Sequence, residues 1–180
     1  MSKKKTNQGF TLAELLITIF IISFISTMLV VNWRTNEKQY AVQRAAQSII
    51  QSARRVQDMA LSGKKSSDSQ HPASYGIHFD SQNTNSYILY GDMNGNDPYQ
   101  PSDILIETVF LDSDIEIYAL SSHTNLDVAF TIPDGFAMIN YHGGNSDSDA
   151  SVDIRIKGVN CPSNYCKSII IKDTGEISIQ

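Results

Sequence analysis

The sequence predicts an α+β fold, in which one long N-terminal α-helix packs on an antiparallel β-sheet domain. A run of 22 apolar or hydroxyl-bearing residues, Phe10–Val31, is interrupted by a single charge, Glu14. No glycine or proline follows until Gly63, so nothing in the sequence breaks a helix that continues past the run. From Ala73 onward, short alternating runs are separated by turn residues, which favours antiparallel strands.

The apolar run is long enough to cross a membrane. At about 1.5 Å per residue, a helix of this length spans about 33 Å, close to the thickness of the hydrocarbon core. Lys3, Lys4 and Lys5 precede the run, and no small-residue cleavage site follows it, which distinguishes it from an ordinary secretory signal. A simple anchor with its lysines in the cytoplasm explains these features, but it leaves Gly9 and Glu14 unexplained.

Gly9 and Glu14 belong to one contiguous segment, Gly9-Phe10-Thr11-Leu12-Ala13-Glu14-Leu15-Leu16. This segment resembles the N-terminal motif of type IV prepilins and type II secretion pseudopilins. The resemblance implies that a prepilin peptidase cuts between Gly9 and Phe10 and then N-methylates Phe10. It also implies a structural subunit of a pilus or a secretion pseudopilus. Its partners would then be other pilin or pseudopilin subunits and an inner-membrane assembly platform.

A carboxylate inside an apolar run is costly, so Glu14 is a candidate functional residue. By resemblance it is the glutamate at mature position five. We expect it to pair with the Phe10 amine of a neighbouring subunit during assembly, because neither charge can reach water there. The alternative is a glutamate that only extends to the membrane interface. Many family members have a proline near the end of the run, where this chain has Val30-Val31-Asn32, so the resemblance does not extend to a kink there.

The resemblance divides the chain into four segments. Residues 1–9 form a cytoplasmic leader peptide, residues 10–31 a transmembrane and filament-core helix, residues 32–62 its amphipathic continuation, and residues 63–180 a β-rich pilin-like domain. The chain is therefore expected to cross the inner membrane once, with its N-terminus in the cytoplasm and its domain outside. Membrane lipid is expected to surround the helix before assembly, and the helix is expected to lie in a pilus or pseudopilus filament afterwards.

The second half of the predicted helix carries one apolar stripe. Its members follow one another at spacings of four and three residues: Val42, Ala46, Ile49, Ala53, Val56 and Ala60. This spacing predicts a helix from about Phe10 to Ser62 whose second half is buried against the domain, although a coiled-coil seam has a similar repeat. A basic cluster on the same stretch is more typical of a solvated face than of a nucleic-acid site: Arg44, Arg54, Arg55, Lys64 and Lys65.

Nine short runs after Ala73 predict β-strands. They are Tyr75–Phe79, Ser86–Tyr90, Ile104–Leu111, Ile115–Leu120, Asp127–Ile132, Phe136–His142, Val152–Lys157, Ser168–Lys172 and Glu176–Ile179. Turn sequences such as Pro133-Asp134-Gly135 and Asp173-Thr174-Gly175 separate them, and residues 143–151 predict a mobile loop. The last two runs, and Ala53-Arg54-Arg55 on the helix, are similar to parts of H-type minor pseudopilins and their pilus counterparts.

Two cysteines, Cys161 and Cys166, are the only ones in the chain. The four histidines are scattered, which does not favour a metal site built on these thiols. A close pair in a chain with an export-type N-terminus predicts a disulfide that staples a hairpin loop, and two reduced loop cysteines are the alternative.

A segment between two of the predicted strands has oxygen-bearing residues at the spacing of a calcium loop. Asp92, Asn94, Asn96 and Asp103 occupy positions 1, 3, 5 and 12 of that pattern. Position 6 is Asp97 where an EF-hand needs glycine, and no helices flank the segment. Asn-Gly and Asp-Pro are also ordinary turn formers, so the sequence predicts a plain turn without a cofactor, and a calcium loop is the alternative.

Composition and charge limit the classes of function. The chain has 14 basic and 19 acidic residues, and loss of the three leader lysines changes its net charge from −5 to −8. An acidic domain repels phosphate backbones, so DNA is not an expected partner. Some pilus members of the H-type group nevertheless bind DNA, so a minor pilin that presents DNA or another ligand at a fibre tip is the alternative function. The sequence has no Gly-x-Ser-x-Gly, HExxH, P-loop or GxGxxG motif, and an enzyme is not expected.

Overall fold

The computed structural model describes residues 10–63, 71–95, 98–121, 124–141 and 148–180, and for residues 30–36 it describes the main chain only. The chain divides into two compact units, Met1–Glu37 and Lys38–Gln180. The described residues form one α-helix and nine β-strands, which confirms the predicted α+β class.

The helix α1 runs from Leu12 to Leu61, close to the predicted bounds. Its main chain is helical through Val30-Val31-Asn32, where many family members have proline. Gly63 ends it with a φ of +55° and donates its N–H to the Ala60 carbonyl at 3.1 Å. Glycine adopts this left-handed conformation without the clash that a Cβ atom would cause, so the predicted helix stop is confirmed.

The strands are β1 Ser74–Asp80, β2 Ser86–Asp92, β3 Ile104–Phe110, β4 Ile115–Leu120, β5 Asn125–Thr131, β6 Ala137–Tyr141, β7 Asp149–Ile156, β8 Cys166–Lys172 and β9 Ile177–Ile179. They form two antiparallel sheets. The first has the order β3-β2-β1-β5-β6, and the second has the order β4-β7-β8-β9. A sequence pattern of hairpins predicts antiparallel pairing but not this division into two sheets.

In the Lys38–Gln180 unit, the predicted apolar stripe of α1 is buried. All six of its members are at most 1 % exposed, and they share one hydrophobic cluster with side chains from both sheets. The helix also makes polar contacts with the domain. Ser52 Oγ lies 2.9 Å from Tyr87 Oη, and Gln57 Nε2 donates to the main-chain carbonyls of Gly135 and Gly175. The stripe is therefore a packing face of the domain.

The central strand β1 divides its side chains between two faces. Tyr75, Ile77 and Phe79 are buried in the cluster shared with α1. Because successive side chains of a strand point to opposite sides, Ser74, Gly76 and His78 lie on the other face. The residues opposite them on β2 and β5 lie on that same face, which we call the far face of the first sheet. It is defined by Ser74, Gly76, His78, Tyr90, Asp92 and Asp127.

All nine predicted strands are present, and their bounds differ from the predicted ones by at most three residues. One prediction is wrong in part. Residues 143–151 were expected to form a mobile loop, yet β7 begins at Asp149, and Asp149, Ala150 and Ser151 pair with Lys172, Ile171 and Ile170 of β8. Buried and less buried side chains alternate from the start of β7, so the strand begins three residues before Val152, where the sequence pattern predicted its start. Residues 143–147 of the predicted loop lie outside the described residues.

Candidate functional site

The first turn of α1 is closed by two side chains that bond reciprocally. Thr11 Oγ1 accepts the Glu14 main-chain N–H at 3.3 Å, and Glu14 Oε2 accepts the Thr11 N–H and hydroxyl at 2.9 Å each. This is a capping box, which satisfies main-chain donors that the first turn of a helix leaves without partners. The Thr-x-x-Glu spacing is its sequence signal, and it gives Glu14 a local role beside the one implied by the family resemblance.

The helix that follows presents an apolar surface that its own chain does not cover. Leu12–Leu29 is long and apolar enough to cross a membrane, by length and composition, and none of it is buried. The hydroxyls of Thr18, Ser26 and Thr27 bond to main-chain carbonyls three or four residues earlier, at 2.7–2.9 Å. These polar groups need no water, so the segment fits membrane anchoring.

Phe10 lies immediately before the capped turn, and its side chain is 86 % exposed. Gly9, the other residue of the expected cleavage site, lies outside the described residues. The cut between Gly9 and Phe10 and the methylation of Phe10 remain predictions. The exposure of Phe10 is compatible with access by a peptidase.

Among the described residues of the second unit, three basic side chains are paired with acidic ones. Arg55 forms a salt bridge with Glu107, and Arg155 Nε lies 2.7 Å from Glu116 Oε1. Lys172 Nζ lies 2.7 Å from Glu176 Oε2, and this partner raises the pKa of the Lys172 ammonium. Lys64 and Lys65 of the predicted basic cluster lie outside the described residues, whereas Arg44 and Arg54 are exposed on α1.

Cys161 and Cys166 form a disulfide in the connection between β7 and β8. These two strands pair along their length, so the bond closes the loop of a hairpin, as the sequence predicts. Its surroundings are tied to the sheet, because the Ile156 N–H donates to the Tyr165 carbonyl and Arg155 Nη1 donates to the Val159 carbonyl, both at 3.1 Å.

The residues of the predicted calcium loop lie around the connection between β2 and β3. Asp92 and Asp103 are buried, Asn94 is exposed, and Asn96 lies outside the described residues. Asp92 Oδ1 accepts the main-chain N–H groups of Asn94 and Gly95, both at 3.0 Å. Asp92, the last residue of β2, thus caps the turn that follows the strand.

A second carboxylate group on the same sheet face has no counterpart among the sequence predictions. Asp127 Oδ1 lies 2.8 Å from His78 Nδ1 and accepts the Tyr99 main-chain N–H at 3.2 Å.

Burial raises the pKa of Asp103, and the nearby negative charges of Asp92 and Asp127 raise it further. In the described part of the chain, no three His, Cys, Asp or Glu side chains converge as a metal cluster.

One family model matches the chain. It is the prokaryotic N-terminal methylation motif, and it matches residues 4–30. No curated protein and no solved structure shows a significant match. The match supports a pilin-type precursor and covers the capped turn and the apolar helix. It ends before the β-rich domain, so the similarity to H-type minor pseudopilins remains a prediction.

Proposed function

We propose that this chain is the precursor of a structural subunit of a type IV pilus or type II secretion filament. A prepilin peptidase cuts it between Gly9 and Phe10 and N-methylates Phe10, and the mature chain assembles through α1. The observation that carries this proposal is the methylation-motif match over residues 4–30, on a helix whose first turn is capped by Glu14. In this role the chain is a substrate of the peptidase and is not itself an enzyme.

The exposed apolar surface of α1 supports assembly through this helix. Its large side chains are about half to four-fifths exposed from Leu12 to Leu29, and leaving each one in water would cost about 1.5–3 kcal/mol, so the surface requires an apolar cover. Lipid covers this surface before assembly, and the same segments of other subunits cover it afterwards. Because the segment has the same character in both environments, it can pass from one to the other without refolding.

The proposed localisation follows from charge and from the disulfide. Lys3, Lys4 and Lys5 favour a cytoplasmic N-terminus by the positive-inside rule. The Cys161–Cys166 disulfide suits an oxidising compartment, which supports a β-rich domain outside the cytoplasm. A DNA-binding role at a fibre tip is the competing function, and the pairing of Arg55, Arg155 and Lys172 with acidic side chains does not favour it.

Processing is tested by producing the full chain in cells with an active or an inactivated prepilin peptidase. Intact-mass and N-terminal analysis should find N-methyl-phenylalanine at Phe10 only when the peptidase is active. Replacing Gly9 with leucine should leave the chain at full length. Recovery of only full-length protein, beginning at Met1, beside an active peptidase would contradict the proposal. Retardation of DNA by the purified chain at low salt would favour the competing role.

Two variants separate the roles of Glu14. Thr11→Ala removes the hydroxyl of the capping box but keeps the carboxylate, whereas Glu14→Gln keeps the size of the side chain and removes its charge. If Glu14 pairs with the Phe10 amine of a neighbouring subunit, cross-linked multimers should fall much further in Glu14→Gln than in Thr11→Ala. Equal losses would mean that Glu14 serves only to cap the helix.

A further inference from the structure

Three buried side-chain oxygens have no hydrogen-bond partner among the described residues. They are Ser74 Oγ, Asp92 Oδ2 and Asp103 Oδ1, and their residues are 2 %, 1 % and 9 % exposed. An unpaired buried polar group costs free energy, so such groups are rare and indicate a missing partner. Within the described part of the chain, the Ser74 hydroxyl has no hydrogen-bond partner, and each carboxylate has one bonded oxygen and one oxygen without a partner.

The three oxygens lie in one corner of the far face of the first sheet. Ser74 is directly opposite Asp92 in the β1–β2 ladder, so their side chains point to the same face. The Ala73 N–H donates to the Asp92 carbonyl at 2.7 Å, which fixes the start of β1 against the end of β2. Asp103 is held at the same corner through its neighbours: its Oδ2 accepts the Gln100 N–H, and the adjacent Tyr99 ring lies 5.1 Å from the ring of Tyr90, which precedes Asp92 by two residues on the same face. The three residues are therefore grouped at one corner of the sheet.

A covering segment, residues 98–103, closes this corner from above. The Gln100 N–H donates to Asp103 Oδ2 at 2.7 Å, and the Tyr99 N–H donates to Asp127 Oδ1. The Tyr99 ring lies 5.1 Å from the Tyr90 ring and 4.8 Å from the His78 ring, measured between centroids. These contacts hold the segment on the sheet and shield the unpaired oxygens from bulk water.

The chemistry of the unpaired atoms identifies their missing partner. Ionised carboxylate oxygens only accept hydrogen bonds, and no described lysine, arginine or histidine forms a salt bridge with Asp92 or Asp103. A set made only of oxygens suits a hard cation, whereas zinc prefers nitrogen and sulfur ligands. Mg²⁺ demands a near-ideal octahedron, but Ca²⁺ tolerates an irregular set completed by water and main-chain carbonyls.

We propose that Asp92, Asp103 and Ser74 bind Ca²⁺ beneath the covering segment. No third carboxylate converges on the ion among the described residues, so water and main-chain carbonyls complete its coordination. Asp127 adds negative charge nearby. With two carboxylate ligands, the site belongs to the affinity class of extracellular calcium modules, with Kd about 10⁻⁴–10⁻³ M. The site lies within the Lys38–Gln180 unit and does not depend on processing at Gly9.

The ligand set differs from the one that spacing alone predicts. The main-chain N–H of Asn94 is bonded to Asp92 Oδ1, and the Asn94 residue is exposed, so it is not placed among the buried ligands. Ser74 takes part instead, although it precedes Asp92 by 18 residues, because the register of β1 and β2 places it there. The calcium-loop pattern thus identifies the two carboxylates but not the hydroxyl.

The test uses the full chain in detergent micelles after removal of metal with EGTA. Calorimetric titration with CaCl2 should show one Ca²⁺ per chain, and the midpoint of thermal unfolding should rise with Ca²⁺ and not with equal Mg²⁺. Asp92→Asn and Asp103→Asn should each weaken binding by at least about tenfold, since even second-shell changes reach that size. Asp134→Asn is the matched control, because Asp134 is an exposed aspartate in the β5–β6 turn.

Several results would overturn the proposal. One is the absence of both heat and a midpoint shift in the wild-type chain at millimolar Ca²⁺. Another is equal weakening in Asp134→Asn and Asp92→Asn, which would indicate diffuse surface charge. A third is a wild-type chain that binds no Ca²⁺ and is less stable than Asp103→Asn. That result would mean that Asp92 and Asp103 share a proton instead of a cation. Circular dichroism will show whether Asp92→Asn folds. If it does not, Asp103→Asn and Ser74→Ala provide the test, and the proposal is refuted if both bind Ca²⁺ as tightly as the wild type.

Discussion

Replacing Gly76 with alanine tests the packing that holds residues 98–103 on the sheet. A Cβ atom at this position would lie 2.4 Å from Tyr90 Cζ and 2.6 Å from Tyr90 Cε1 and Oη. Carbon atoms need about 3.5 Å, so the ring must retreat by about 1 Å. Tyr90 is fully buried and its ring lies against that of Tyr99, so this retreat disturbs the aromatic contact that holds the covering segment.

The size of the effect follows from three contributions. Overpacking a buried site costs about 1–3 kcal/mol. Loss of the contact between the Tyr90 and Tyr99 rings adds about 0.5–1.5 kcal/mol. Alanine restricts the unfolded chain more than glycine does, which offsets about 0.4–1 kcal/mol. Together these contributions predict that Gly76→Ala lowers the free energy of unfolding by roughly 0.5–4 kcal/mol.

The measurement is urea unfolding of the full chain in detergent micelles, followed by near-ultraviolet circular dichroism of the tyrosines. A Tyr90→Ala background removes the ring that meets the new methyl group. In that background the clash is absent and only the restriction of the unfolded chain remains, so Gly76→Ala should leave the free energy of unfolding unchanged or raise it by up to about 1 kcal/mol. Equal losses in the two backgrounds would show that the methyl group does not act through Tyr90 and would refute the reasoning.

Two further predictions concern the core and the hairpin loop. Tyr87→Phe should cost about 1 kcal/mol at neutral pH because it leaves the Ser52 hydroxyl without its partner. Burial raises the pKa of Tyr87 above 10.0, because the folded chain disfavours the charged phenolate. The neutral Tyr87 side chain therefore contributes stability below pH 10.0, and this contribution is lost as the pH rises through the raised pKa. At about pH 11, the urea midpoint should fall more in the wild type than in Tyr87→Phe. Replacing Cys161 and Cys166 together with serine should lower the free energy of unfolding by about 2 kcal/mol in urea, as expected for so short a loop, and reduced wild type should match it.

The periodic parts of the fold could be predicted because their signals are local. The apolar stripe of α1 repeats at the helical period, and every one of its six members is buried. Alternation and turn residues identified all nine strands, since a strand with one buried face must alternate. The Cys161–Cys166 pair could be predicted because the two residues are close in sequence and the N-terminus is of export type.

Strand partners and the far-face cluster could not be predicted, because they depend on long-range pairing. β4 follows β3 directly in the chain, yet it pairs with β7 in the other sheet. Ser74 meets Asp92, and His78 meets Asp127, only through the register of β1 with its two neighbours. A register shifted by one residue would turn these side chains to the opposite face, and no local pattern fixes that choice.

Glu14 illustrates how cleavage changes the demands on one side chain. The start of α1 carries the positive end of the helix dipole, and Glu14 Oε2 already accepts two hydrogen bonds from Thr11 there. Cleavage after Gly9 would add a charged amine at Phe10, one residue before that cap. A single carboxylate would then offset both the helix terminus and a new cation in apolar surroundings, where an unpaired charge is costly. Loss of its charge should therefore affect the assembled state more than the uncleaved precursor, in which the amine is absent.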